Sequence, residues 1–143
     1  MRRDTEPIRL PTWKTVLADY RHAMDAYRAD PGSLPRTAFL DRAVIRLQEA
    51  VRQPGLFELG LVALTEGAIR ELVGGQHLAE EFLIRHKHGD FGLMVPDDVQ
   101  TNRFAIDHGH RITSRYETRA GGELWVVTDG QRLATHLFER REH

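Results

Sequence analysis

The chain has 143 residues, 41% hydrophobic and 29% charged, the make-up of one globular domain or of a domain with a small appendage. Its 20 basic and 21 acidic residues leave a net charge of -1, which gives no support to a broadly basic nucleic-acid or membrane-surface protein, and the lack of cysteine excludes disulfides, a thiol nucleophile and a zinc ribbon. No apolar run approaches the roughly 20 residues of a membrane span, and the opening Met1-Arg2-Arg3-Asp4-Thr5-Glu6 lacks a leader's apolar stretch, so a cytoplasmic protein without membrane partners is expected.

Thr12 is placed to cap a helix in which Trp13, Val16, Leu17, Tyr20, Met24 and Tyr27 recur at spacings of three and four, and Asp30-Pro31-Gly32 stops it. A second amphipathic segment runs from about Arg36 to Arg52 with Leu40, Val44, Leu47 and Val51 on one stripe. Two such helices joined by a short turn predict a helical hairpin over residues 1–53, docked on the domain that follows or on a second copy of the chain. Phe57 to Leu64 is apolar and reads either as a short strand or as an extended connection. Thr65 then caps a helix through Leu72, and Leu78, Phe82 and Leu83 mark another that runs to Arg85-His86-Lys87-His88-Gly89. Pro96-Asp97-Asp98 has the chemistry of a helix start and Gly109 that of its end, with Asn102 in the middle.

The period then changes. From His110 to Thr118, Ile112, Ser114, Tyr116 and Thr118 face one way and Arg111, Thr113, Arg115 and Glu117 the other, the alternation of a strand. Glu123 to Thr128 reads as a buried strand with Trp125 in the core, Asp129-Gly130 as a tight hairpin turn, and Gln131 to Phe138 as a third strand. The expected fold is α+β, with N-terminal helices packed on a small C-terminal antiparallel sheet, a three-strand meander, in a domain covering residues 54–143.

Six of the eight histidines lie between residues 81 and 143, in and after the passage from helix to sheet. Phe57-Glu58-Leu59-Gly60, Thr65-Glu66-Gly67-Ala68, Arg85-His86-Lys87-His88-Gly89-Asp90-Phe91-Gly92, Asp98 with Asn102, Gly109 to Tyr116 and Leu124 to Thr128 together resemble a family of small proteins of bacterial plasmids, prophages and other mobile elements, a family without a settled activity. The resemblance spans about residues 56 to 138. It departs at Phe91, where the family usually has Trp, and over Thr128 to His136, where the family has a Thr-Glu-x-Asp-Arg-x-x-Thr-Thr run. The resemblance implies a mobile-element setting, which fits both a toxin-like enzyme and a module that binds or antagonises a host protein such as a defence component.

A helix ending in His followed by antiparallel strands bearing Arg, Ser, Thr and Tyr is also similar in architecture to the barnase/RelE-like ribonucleases. Metal-free RNA cleavage needs a base, a cation for the phosphate and an acid. His86 has the right intrinsic pKa, Arg111 offers a planar charged fork, and Ser114 and Tyr116 are donors, which makes these four the candidate catalytic set. Asp90, Asp98, Asn102, Thr128 and Thr135 are candidate binding or supporting residues. Five of these have a structural alternative: His86 caps a helix end, Asp90 shapes a turn, Asp98 caps a helix, Asn102 makes one specific hydrogen bond, and Arg111, with Arg115, pairs with Glu117 on a solvated face. A metal site from His86, His88, Asp90, His108 and His110 is disfavoured because a helical His-x-His points its rings about 200° apart. No phosphate loop or nucleophile elbow is present. The reading is therefore a metal-independent, cofactor-free RNA endonuclease or, as the alternative, a non-catalytic module for a host protein; its partner is RNA or that protein, with a homodimer through the N-terminal helices as a further expectation.

Overall fold

The computed structural model describes residues 12–142, so the opening segment Met1 to Glu6, expected to be no leader, lies outside the described residues. The chain divides into two compact units, Met1–Ala50 and Val51–His143. In the first, α1 (Trp13–Ala29) starts at Thr12, whose hydroxyl accepts the Thr15 N–H at 3.3 Å, and α2 (Leu34–Arg52) follows the turn at residues 30–33. The two helices pack on each other: His22 and Phe39 meet edge to face at 6.2 Å, and Arg36 donates to the Ala26 carbonyl at 3.0 Å. Leu17, Tyr20 and Leu47 of the expected stripes are buried, while Trp13, Leu40 and Val44 are half-buried; the small Ala23 and Ala43 are buried as well.

The second unit contains β1 (Leu61–Leu64), α3 (Glu66–Gly74), α4 (Ala79–Lys87), α5 (Pro96–His108), β2 (Ile112–Glu117), β3 (Glu123–Thr128) and β4 (Ala134–Glu139). Two of its helices have the expected start and stop chemistry: the Thr65 hydroxyl accepts the Ala68 N–H at 3.1 Å at the start of α3, Pro96 opens α5, and Gly109 closes it at φ 69° in the left-handed region. Along the sheet the order is β1-β4-β3-β2, with β1 parallel to β4 and the other pairs antiparallel. The fold is α+β, but the expected three-strand meander is one part of a four-stranded mixed sheet. The Phe57–Leu64 run resolves into an extended approach and a strand that returns to β4, a pairing no local pattern encodes.

Two further corrections concern the hairpin. The chain does not turn tightly at Asp129-Gly130; a longer loop carries it to Ala134, organised by the Asp129 carboxylate, which accepts the N–H groups of Leu133 and Ala134 at 3.0 and 2.9 Å. Arg132 takes a positive φ of 61° there. Trp125 is on the outer face rather than in the core, half-buried and 5.9 Å from Phe138. The inner face presents Ile112, Tyr116, Leu124, Val126 and Leu137 to Phe57, Leu59, Ala68, Leu72, Phe82, Leu83 and Phe91, and this is the core.

Candidate functional site

The sequence-predicted residues fall on two faces of the sheet. On the inner face, α4 delivers His86 over β2 and β3 with no exposure to solvent. Its Nδ1 is 2.6 Å from the Ser114 hydroxyl and its Nε2 is 2.9 Å from the Thr128 hydroxyl. Thr128 and Thr135 hydroxyls are 2.7 Å apart, and Thr135 donates to the Leu59 carbonyl at 2.7 Å. That last bond fixes the direction of the whole chain. Thr135 spends its proton on Leu59, so it accepts from Thr128; Thr128 then accepts from His86 Nε2–H, and Nδ1 accepts from Ser114. The imidazole is held neutral in one tautomer. Burial, and next the Arg132 charge, push its pKa down from 6.5 to about 3. A serine hydroxyl on an imidazole nitrogen is the pairing of an activated nucleophile, but Ser114, like His86, is wholly enclosed, and Phe57 packs edge-on against the ring at 5.1 Å.

Tyr116 is 1% exposed; its hydroxyl donates to the Asp90 carbonyl at 2.6 Å, and burial pushes its pKa up. Asp90 pairs with Arg85 through two bonds of 2.7 and 3.2 Å and accepts the Gly92 N–H at 3.2 Å. Arg85 in turn lies over the Tyr116 ring at 4.4 Å. The segment from Arg85 to Gly92 is thereby a clasp that ties the end of α4 to β2. Arg85 and Gly92 were not among the predicted site residues; the signal for Gly92 is its positive φ of 70°, with a Cβ placed there 2.0 Å from the Arg115 carbonyl oxygen.

Arg111 is on the other side. It lines a cleft of about 340 Å³ between α5 and the outer face of β2 and β3, with Met94, Asp98, Thr101, Asn102, Thr113, Arg115 and Trp125. Val95, not Asp98, is the cap residue of α5, and Asp98 sits in the first turn. Asn102 makes the expected specific contact: its amide donates to the Thr113 carbonyl at 2.7 Å and accepts the Thr113 N–H at 3.1 Å. Arg115 and the Trp125 indole both donate to one Glu123 carboxylate oxygen, at 2.6 and 2.9 Å, so Glu123 is the partner of Arg115 that Glu117 was expected to be. The same bond holds the Glu123 carboxyl below its ordinary pKa. His86, Ser114 and Tyr116 therefore do not meet Arg111 in one concave site.

A larger hollow, about 640 Å³, is lined by Glu71, Glu117, Glu123, Glu139, Arg140 and Arg141 among others and holds no predicted site residue. Among the described residues no group of three or more His, Asp or Glu is placed to hold a metal ion, and no helix is long and apolar enough to cross a membrane. Comparison of the chain with known protein families, curated proteins and solved structures finds no match.

Proposed function

We propose that this chain is a non-catalytic interaction module that takes a protein partner at the outer-face cleft, and that the residues with the chemistry of an acid–base catalyst hold its fold. The observation that carries the reading is His86, fully enclosed with both ring nitrogens bonded. A general base must come within hydrogen-bond reach of the proton it removes. The phosphate-binding fork expected to serve it, Arg111, is on the opposite face of the sheet. What the surface offers instead is a rigid arginine-tryptophan pair, Arg115 over the Trp125 ring at 5.6 Å, beside Met94 and an Arg111 that makes no ion pair among the described residues. Trp and Arg dominate the energetics of protein interfaces. The partner this cleft fits is a protein segment carrying a carboxylate for Arg111 next to an apolar side chain for Trp125.

The test has two arms. Purified protein incubated with total RNA, in EDTA and in magnesium, leaves the RNA intact; cleavage by the wild type overturns the reading, and its loss in a His86→Gln variant whose circular dichroism shows it folded restores the ribonuclease. In the second arm, host-cell proteins retained by the wild type are compared with those retained by Arg111→Glu. A protein lost with that charge reversal supports the cleft, and identical retention by both argues against it.

A further inference from the structure

We propose that β1 is a self-association edge, with two copies of this chain pairing their Leu61–Leu64 strands antiparallel about a two-fold axis through Ala63. The proposal concerns a surface apart from the cleft and does not depend on it.

The two edges of the sheet are treated differently. At β2 the outward backbone groups of Thr113 and Arg115 are taken: Thr113 by the Asn102 amide, the Arg115 N–H by the Phe91 carbonyl at 3.1 Å, and the Arg115 carbonyl by the Leu93 N–H at 2.7 Å. At β1, Leu61 and Thr65 donate to the Leu133 and Leu137 carbonyls, so the odd positions face β4. Alternation then turns the N–H and C=O of Val62 and Leu64 to the open side, where no partner is found among the described residues. The strand also lacks the charge, proline or bulge that commonly blunts an edge. Leu61 is 80% exposed, and Val62 and Leu64 are 39% and 37% exposed.

What completes such an edge is another extended strand, and this one complements itself. Outward groups at 62 and 64 set Val62 opposite Leu64 of the second copy, twice, with Ala63 facing Ala63 at the non-hydrogen-bonded position. There the Cα atoms approach to about 4.5 Å and side chains are closest, so the smallest residue of the strand falls on the axis. Apolar meets apolar and no like charges face each other. A four-residue ladder alone falls short of the roughly 1,000 Å² expected of a stable interface. An axis normal to the sheet keeps both copies of α3 on one side, and α3 follows β1 after a single residue. Its Ile69 and Val73, one turn apart and 49% and 71% exposed, supply further apolar area.

The experiment is analytical ultracentrifugation of the full chain across micromolar concentrations, with Ala63→Lys and Ala63→Cys beside the wild type. The wild type is expected to be dimeric. Ala63→Lys, at a position exposed in the single copy, should be monomeric with an unchanged circular dichroism melt, and Ala63→Cys, the only cysteine in its chain, should form a covalent dimer on mild oxidation. A wild type monomeric throughout overturns the proposal. So does a dimer that neither substitution touches, which places the interface elsewhere, such as on the helical hairpin. An edge protected from amide exchange only when a different protein is added likewise replaces the second copy with a foreign strand.

Discussion

The Ser114 proton, the His86 ring, and the Thr128 and Thr135 hydroxyls form a one-directional relay that ends on the Leu59 carbonyl, so each member satisfies the next. Removing the ring by His86→Ala takes the acceptor from the buried Ser114 hydroxyl and a donor from Thr128, which keeps its bond to Thr135, and opens a cavity under Phe57. A buried group left unsatisfied costs about 1–3 kcal/mol, and the cavity adds to it, so a loss of about 3 kcal/mol is expected. Urea unfolding at neutral pH measures it, and a loss under about 1 kcal/mol contradicts the structural role. Gly92 is constrained differently. Its φ of 70° and the 2.0 Å approach of a built Cβ to the Arg115 carbonyl leave no room for a methyl group. Gly92→Ala is expected to destabilise by about 2 kcal/mol or more, with exchange of the neighbouring Leu93 and Arg115 amides accelerated.

At the level of elements, α5 meets the sheet through Ala105, Val99 and Ile106 on its apolar face and through the hydrogen bonds of one side chain, Asn102, to the β2 backbone. Asn102 acts as a stub of strand for Thr113, and residues 91–93 do the same for Arg115. Asn102→Ala removes two bonds and uncovers a backbone donor and acceptor. The expected cost is about 2 kcal/mol, the sum of two typical buried bonds. The distinguishing readout is faster exchange of the Thr113 amide, with the Val126 and Val127 amides in the sheet interior less affected. Caps and strand alternation made these elements legible: Thr12, Thr65 and Gly109 start or stop helices through bonds to groups within four residues, Pro96 suits a first turn by its fixed φ, and the faces of β2 follow its alternation. Asn102 was legible as an anomaly in mid-helix, though not its partner.

For the molecule as a whole, acid is the informative perturbation. His86 has a folded pKa of about 3 against an ordinary 6.5, so between those values the unfolded chain binds a proton that the folded chain refuses. Stability is therefore lost as pH falls through that window. Glu123 and Glu142 titrate below their ordinary values when folded, Glu123 through its bond from Arg115 and Glu142 through its bond from Thr65. Their contribution is present above the usual carboxylate pKa and disappears further down, as pH falls through the lowered values. Urea midpoints measured from neutral to acid pH should decline in two stages. His86→Gln, neutral throughout, should shrink the upper stage to the share of His88, whose pKa burial also lowers, and keep the lower one; two identical profiles contradict the buried neutral imidazole.

Local chemistry settled the helices, the caps at Thr12, Thr65 and Gly109, the faces of β2 and the α+β class, because those features depend on neighbours two to four residues away along the chain. Only the tertiary structure decided that β1 joins β4, that Trp125 faces outward, that Asp129 governs a longer loop, and that His86 is enclosed while Arg111 lines a cleft. Each of these depends on which distant surface covers a face. His86 meets Thr128 across 42 residues and Thr135 meets the Leu59 carbonyl across 76. A polar residue at a helix end has the same local pattern whether it awaits a substrate or a threonine hydroxyl, and burial, a property of the packed chain, separates the two.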